Sequence, residues 1–239
     1  MVKKLKNRVL GVITARGGSK GVRRKNIRLV GGKSLIQWTI EAALSSNELD
    51  NVILSSEDDE IIKLAKKIGC NVPFKRPLEL ATDKVPTIEV ILHALELLPD
   101  YDYIVVLQPT SPLRIAEDID SCVSRCLNEG FNSCCSVSKV NKHPNWMYKM
   151  NEMGLLSKYS NNDLALRRQD QTELYVPNGA VYVVDVNFLK TEKSFLAPGT
   201  VGVVMPEYRS VDIDTEFDLE ICDILLRKEL GKNKQISPC

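Results

Sequence analysis

The sequence predicts an α/β protein, a mostly parallel sheet with helices on both faces. Three observations predict it. Short β-rich runs alternate with segments of helical period along the chain. The run YIVVL at 103–107 is apolar throughout, as a strand covered on both faces must be. Hydrophobic residues make up 44% of the 239 residues, enough for a large core and too many for a disordered chain.

The elements follow in order. Residues 8–14 (RVLGVIT) predict the first strand. The apolar run that opens the chain is too short for a signal peptide. Residues 34–44 carry apolar side chains at 35, 36, 40, 43 and 44, a helix period. Residues 51–55 (NVILS) predict a strand, and 58–68 a helix with Asp58 at its start and Gly69 past its end. Residues 87–98 place Ile88, Ile91, Leu92, Leu95 and Leu98 on one helical face. Ile119, Cys122, Val123, Cys126 and Leu127 mark another helix, and 132–140 reads as a strand. The rhythm then breaks. Residues 141–176, polar and holding RRQDQTE, read as an insertion or extended arm within a single domain spanning 1–239. Strand patterns resume at 179–186 and 201–205. A last helix starts at Thr215, with Asp218 completing a capping box, and ends near Gly231.

Composition excludes several function classes. Thirty-two basic against 31 acidic residues leave a net charge of +1, so no global field favours nucleic acid or a membrane surface. No window reaches the roughly 20 apolar residues of a membrane span. Seven cysteines without C-x-x-C spacing read as free thiols of a cytoplasmic protein. His93 and His143 are the only histidines, so neither a nucleophile–base triad nor a zinc cluster is visible.

Ligands of such sheets bind at the carboxyl ends of the strands, so the loops that follow strands carry the functional signal. After the first strand comes Ala15-Arg16-Gly17-Gly18-Ser19-Lys20-Gly21, then Lys25-Asn26. The glycines let backbone approach a ligand closely, and Arg16, Lys20 and Lys25 add cationic donors. A triphosphate needs that combination, because its charge must be held and then neutralised as pyrophosphate departs. Neither familiar phosphate motif is present. A Walker A loop ending at Gly32-Lys33-Ser34 would need Gly where Ile27 stands, and no G-x-G-x-x-G follows the strand.

Later loops add to this. Gln108-Pro109-Thr110-Ser111-Pro112-Leu113-Arg114 closes the YIVVL strand, its prolines stiffening a turn whose polar groups are placed to read a base or sugar. Arg76-Pro77 and Thr82-Asp83 precede Thr87, which stands equally well as a helix N-cap or as a ligand contact. In Ser210-Val211-Asp212-Ile213-Asp214-Thr215 the two aspartates project to one side of an extended segment. Two carboxylates on one face repel unless a cation lies between them, and Mg²⁺ suits that role. The other reading makes Asp214 a helix cap and Asp212 a surface residue.

ARGGSKG…KN, RP…LATD, LQPTSPLR, RRQ…PNGAVY and DIDT occur in this order across 15–215. Together these stretches resemble the acylneuraminate cytidylyltransferases, the CMP-sialic acid synthetases. The resemblance implies a three-layer nucleotidyltransferase fold of the nucleotide-diphospho-sugar transferase type. It also implies CTP as donor, a nonulosonic acid as acceptor, Mg²⁺, and a homodimer in which the arm reaches the partner's site. By position, Ala15, Arg16, Gly17, Gly18, Ser19, Lys20, Lys25, Asn26, Arg76 and Thr87 would bind the nucleotide. Gln108, Arg168, Asn178, Tyr182 and Phe195 would bind the sugar, and Asp212 and Asp214 the metal. Arg16, Lys20 and Asp214 would carry catalysis. Trp146 and Val176 stand where bacterial neuraminate enzymes tend to have Lys and Arg, and Ser194-Phe195 replaces an aromatic pair. These departures point to a relative of N-acetylneuraminic acid, such as legionaminic or pseudaminic acid. The competing readings are a CMP-Kdo synthetase and a non-catalytic nucleotide-binding protein of the same fold.

Overall fold

The computed structural model describes residues 7–19, 21–159 and 172–235. Its centre is a six-stranded sheet. The strands are β1 (Val9–Thr14), β4 (Asn51–Ser55), β5 (Tyr103–Leu107), β6 (Ser133–Lys139), β9 (Tyr175–Asp185) and β10 (Val201–Val204). Two hairpins stand apart from it, β2 (Leu29–Val30) with β3 (Lys33–Ser34), and β7 (Tyr148–Met150) with β8 (Leu156–Lys158). Across the main sheet the order is β10-β6-β9-β5-β1-β4. β1 runs parallel to β4 and β5, and β10 parallel to β6. β9 is antiparallel to both of its neighbours.

Alternation along β1 shows why both faces need cover. Val9 and Ile13 pack into one apolar cluster, Leu10 and Val12 into the other. On the first face lie α1 (Leu35–Leu44), α2 (Asp59–Ile68) and α4 (Ala116–Glu129), contributing Ile36, Ile40, Ile61, Ala65, Ile119 and Cys122. On the second lie α3 (Thr87–Leu97) and α5 (Val186–Glu192), contributing Ile91, Leu95 and Leu189. Each fully buried Leu or Ile contributes about 1.5–3 kcal/mol of transfer free energy. Six described cysteines are free and buried in these layers.

The caps expected at Asp58, Gly69 and Asp218 form, and Ser34 and Gly130 add two more. Ser34 accepts from Gln37 N at 3.3 Å, and Asp58 accepts from Glu60 N and Ile61 N at 3.0 Å each. Gly69 (φ 96°) and Gly130 (φ 73°) end α2 and α4 in the left-handed region. Asp218 accepts from the N–H and the hydroxyl of Thr215, both at 2.8 Å, opening α6 (Glu216–Gln235). That helix continues past Gly231, beyond its expected end, because glycine at an exposed helix position costs only about 1 kcal/mol. Of the stretch read as an arm, 175–176 belong to β9, and the β7–β8 hairpin exposes Met150, Met153 and Leu156.

Candidate active site

The loops at the carboxyl ends of β1 and β5 converge with the 76–90 and 210–215 segments on one cleft. Ala15, Arg16, Ser19, Lys25, Asn26, Arg76, Thr87, Gln108, Asp212 and Asp214 all line it. Ten of the residues singled out from sequence thus meet in one place. Gly17 and Gly18 lie in the same loop but not in the wall, and Lys20 and Arg168 fall outside the described residues.

Glycine is required in the loop after β1 for close approach. A Cβ at Gly21 would strike the carbonyl oxygen of Asp214, and one at Gly17 the carboxylate of Asp58. The loop is therefore pressed between the Asp212–Asp214 segment and the start of α2. Asn26, buried, donates from Nδ2 to Arg16 O at 2.8 Å and holds the loop's curvature. Asp58 also receives Arg24 Nη1 at 2.6 Å, and Arg24 reaches Glu60 as well. Burial pushes the Asp58 carboxyl up, but the Arg24 hydrogen bond and two backbone N–H donors outweigh it and hold the pKa below the usual carboxylate value.

Two further carboxylates engage this loop, Glu57, which the sequence did not single out, and Asp83 of the Thr82-Asp83 stretch. Glu57 accepts from Gly17 N at 2.7 Å and from Arg76 Nη2 at 2.5 Å. Arg76, 4% exposed, also donates to Ala15 O at 3.0 Å, while its Nε has no partner among the described residues. It therefore fastens β4 to the phosphate loop. Asp83 pairs with Arg16 at 2.5 Å across the cleft. The signal for Glu57 was the acidic run directly after a strand.

Both aspartates line the cleft. Lys25 Nζ, only 14% exposed, donates to Ile213 O at 2.7 Å and lies 3.2 Å from Asp214 Oδ1, while Asp214 is 79% exposed and free to turn towards a ligand. Part of Asp212 reaches solvent, yet the cleft walls crowd its carboxyl. Desolvation raises its pKa first, and neighbouring Asp214 adds to that against the Thr110 hydrogen bond and Lys25. Among the described residues no cluster of three or more His, Cys, Asp or Glu side chains offers a self-contained metal site. Two carboxylates two residues apart that both line the cleft fit Mg²⁺ nonetheless, because that ion takes one or two carboxylates and completes its shell with phosphate oxygens and water.

A second cavity opens beside the first and shares Thr87 and Gln108 with it. The two measure about 310 and 360 Å³. Each alone is at the lower bound of a small-ligand site, so the pair suits two reactants side by side. Tyr182 and Phe195 line the second, their ring centroids 5.9 Å apart. Burial raises the Tyr182 pKa, with Cys135 and Asp212 adding to it, so its hydroxyl stays protonated. Thr87 is the first residue of α3, not its cap, since Pro86 holds that position.

Asn178 is the exception among the expected sugar contacts. It is 6% exposed and lines neither cavity. Its Oδ1 accepts from Ser136 Oγ at 2.6 Å and Ala180 N at 3.2 Å, and its Nδ2 donates to Ser210 Oγ at 3.0 Å. These bonds stabilise a register shift where β6 meets β9. Gly179, at φ 76°, then passes so close that a Cβ would lie 3.2 Å from Asp212 Oδ2 and 3.3 Å from Gln108 Oε1. Asn178 thus acts through the backbone it shapes.

A cation-rich loop and a carboxylate pair thus line one cleft at the carboxyl edge of a largely parallel sheet in an α/β fold. A solved CMP:2-keto-3-deoxy-manno-octonic acid synthetase complexed with CTP shares the fold, with a TM-score of 0.70, 16% identity, and coverage of 93% of this chain and 99% of that one. The cytidylyltransferase family model matches residues 10–197, and the chain belongs to that family. It is 32% identical over 232 residues to an N-acylneuraminate cytidylyltransferase of Escherichia coli O18:K1:H7, covering 97% of this chain but 54% of that protein. It is 33% identical to a CMP-N,N'-diacetyllegionaminic acid synthase of Legionella pneumophila, covering 92% of this chain and 96% of that one. The chain therefore spans about half the length of the first relative and nearly all of the second.

Proposed function

We propose that this protein transfers CMP from CTP to the anomeric hydroxyl of a nonulosonic acid and releases pyrophosphate. The observation that carries this reading is the shared wall. Thr87 and Gln108 border both the charged cavity and the apolar one, so a nucleotide in the first and a sugar acid in the second meet at those residues.

The roles follow from position. Ala15, Gly17, Gly18, Ser19 and Asn26 shape the phosphate loop, and Arg16, Lys20 and Lys25 neutralise the triphosphate. Arg76 and Thr87 face the nucleotide. Gln108 orients the acceptor between Tyr182 and Phe195, and Arg168 is a further candidate contact. Asp212 and Asp214 would hold Mg²⁺, which would supply charge stabilisation to the reacting phosphates. The acceptor oxygen forms its bond to the α-phosphorus as the bond to pyrophosphate breaks, and its proton passes to Asp214 or to water. Alignment and charge neutralisation supply most of the rate. The exposed apolar β7–β8 hairpin supports a homodimer built through the arm. Among the described residues no helix is long and apolar enough to cross a membrane, and the free buried thiols support a reducing cytoplasm.

Pyrophosphate release from CTP and Mg²⁺ tests the reading against N-acetylneuraminic, legionaminic, pseudaminic and Kdo acceptors. Release with one nonulosonic acid, abolished by EDTA, is expected. CTP binding without release for any acceptor would point to the non-catalytic alternative.

A further inference from the structure

Lys193 closes α5 in the left-handed region, at φ 48° and ψ 38°, its N–H donating to Leu189 O at 2.9 Å. Helices favour glycine at this position because a Cβ is strained there, and α2 and α4 of this chain use Gly69 and Gly130. A basic residue near a helix C-terminus does favour the helix dipole, but Lys190 already supplies one in the last turn of α5. Neither capping nor the dipole therefore calls for a long cationic side chain at 193.

The cavity that it lines gives the side chain a use. Ile88, Val106, Tyr182, Phe195 and Leu196 form an apolar wall, and Lys193 is the one charged residue in it. In the neighbouring nucleotide cavity the cations are already engaged, Arg16 with Asp83, Lys25 with Asp214 and Arg76 with Glu57. Among the described residues Lys193 makes no ion pair. An unpaired ammonium at the edge of an apolar, ring-lined cavity is a site for an anionic group on an otherwise uncharged ligand.

We infer that Lys193 is a specificity residue that binds the carboxylate of the acceptor sugar acid. The inference rests on the cytidylyltransferase reading, which makes this cavity the acceptor's. The carboxylate is then the charge that distinguishes the acceptor from a neutral sugar, and Lys193 is the unpaired cation that faces its cavity. Left-handed backbone turns the helix end so that residues 193–196 supply the ammonium and the Phe195 ring from one short segment.

The test is a set of three variants assayed for pyrophosphate release with the acceptor that the wild-type protein uses. Lys193→Gly suits the left-handed backbone and removes only the side chain, so its Tm is expected to equal or exceed wild type. Its KM for the acid is expected to rise on the order of 10-fold, the scale of a partly exposed charge-assisted hydrogen bond, with KM for CTP within about 2-fold. Lys193→Gln should behave alike, and Lys193→Arg should restore most of the affinity. Replacing the acceptor's carboxylate by a carboxamide should penalise the wild type more than Lys193→Gly. An acceptor KM unmoved in both Gly and Gln variants, or an equal rise in KM for CTP, overturns the assignment while leaving the cytidylyltransferase reading intact. A wild-type protein that releases no pyrophosphate with any sugar acid overturns that reading, and this assignment with it.

Discussion

On the side of the cleft proposed for the nucleotide every described cation already holds a carboxylate, whereas in the cavity proposed for the acceptor Lys193 lines a wall of rings and aliphatic groups with none. The two sides therefore meet their ligands differently. A triphosphate entering the first must share or displace protein carboxylates, so its binding is an exchange of ion pairs. A sugar acid entering the second displaces only water, so shape and one charge decide its affinity. The bare side leaves more to substitution, which is where relatives with different acceptors have room to differ.

The comparison breaks most visibly if the charged side carries no chemistry. Asp214→Ala and Lys20→Ala are each expected to lower kcat by about 100-fold or more, the scale seen when one group that stabilises transition-state charge is lost. Single-turnover CMP transfer measures this directly. Near-native turnover in either variant would mean that the paired side only holds the nucleotide.

A smaller effect sharpens the same comparison. The Arg16–Asp83 pair is about a third exposed on each partner, at 34% and 39%, and such pairs are worth about 0–1 kcal/mol. Asp83→Asn should free Arg16 for phosphate and lower KM for CTP by roughly 2- to 5-fold, with a steeper dependence on salt. A raised KM would instead make Asp83 a direct contact of the nucleotide or its metal.

What could be read in the sequence follows from how far apart in the chain the cause of each feature lies. Helices α1, α2, α3 and α4 were legible because their apolar period and their caps are local, as with Asp58 and Gly69. The strands were legible as strands, but the direction of β9 was not. Alternating side chains report a pleat, and its antiparallel pairing with β5 and β6 depends on how the preceding segment returns to the sheet. Helix α5 escaped notice because seven residues bury only Val186 and Leu189, too few for a period. Most of the residues singled out from the sequence line one cleft because each loop carries its own polar and charged groups to the same sheet edge. Their acidic partners, Glu57 and Asp83, come from other loops, so no local pattern announces the pairing. Asn178 shows the reverse limit. A polar residue beside a glycine reads as a ligand contact, but the register shift between β6 and β9 turns its amide inward.

The last prediction separates what the site does for the fold from what it does for the reaction. Asp212 is crowded by the cleft and by Asp214, and both raise its pKa. A carboxylate so placed is favoured when protonated. Its contribution to stability is present below the ordinary carboxylate pKa and is lost as pH rises through its elevated folded value. At neutral pH the ionised group then works against the fold, with solvent reaching Asp212 limiting the size of the effect. Asp212→Asn keeps the shape and removes the charge. Its Tm at pH 7 without divalent ions should exceed wild type by about 2 °C, the gain should vanish near pH 3, and added Mg²⁺ should close the gap by stabilising only the wild type. The same variant should lose CMP transfer. A lowered Tm at pH 7 would show instead that Lys25 and Thr110 already satisfy Asp212, and that the carboxylate belongs to the fold rather than to a metal.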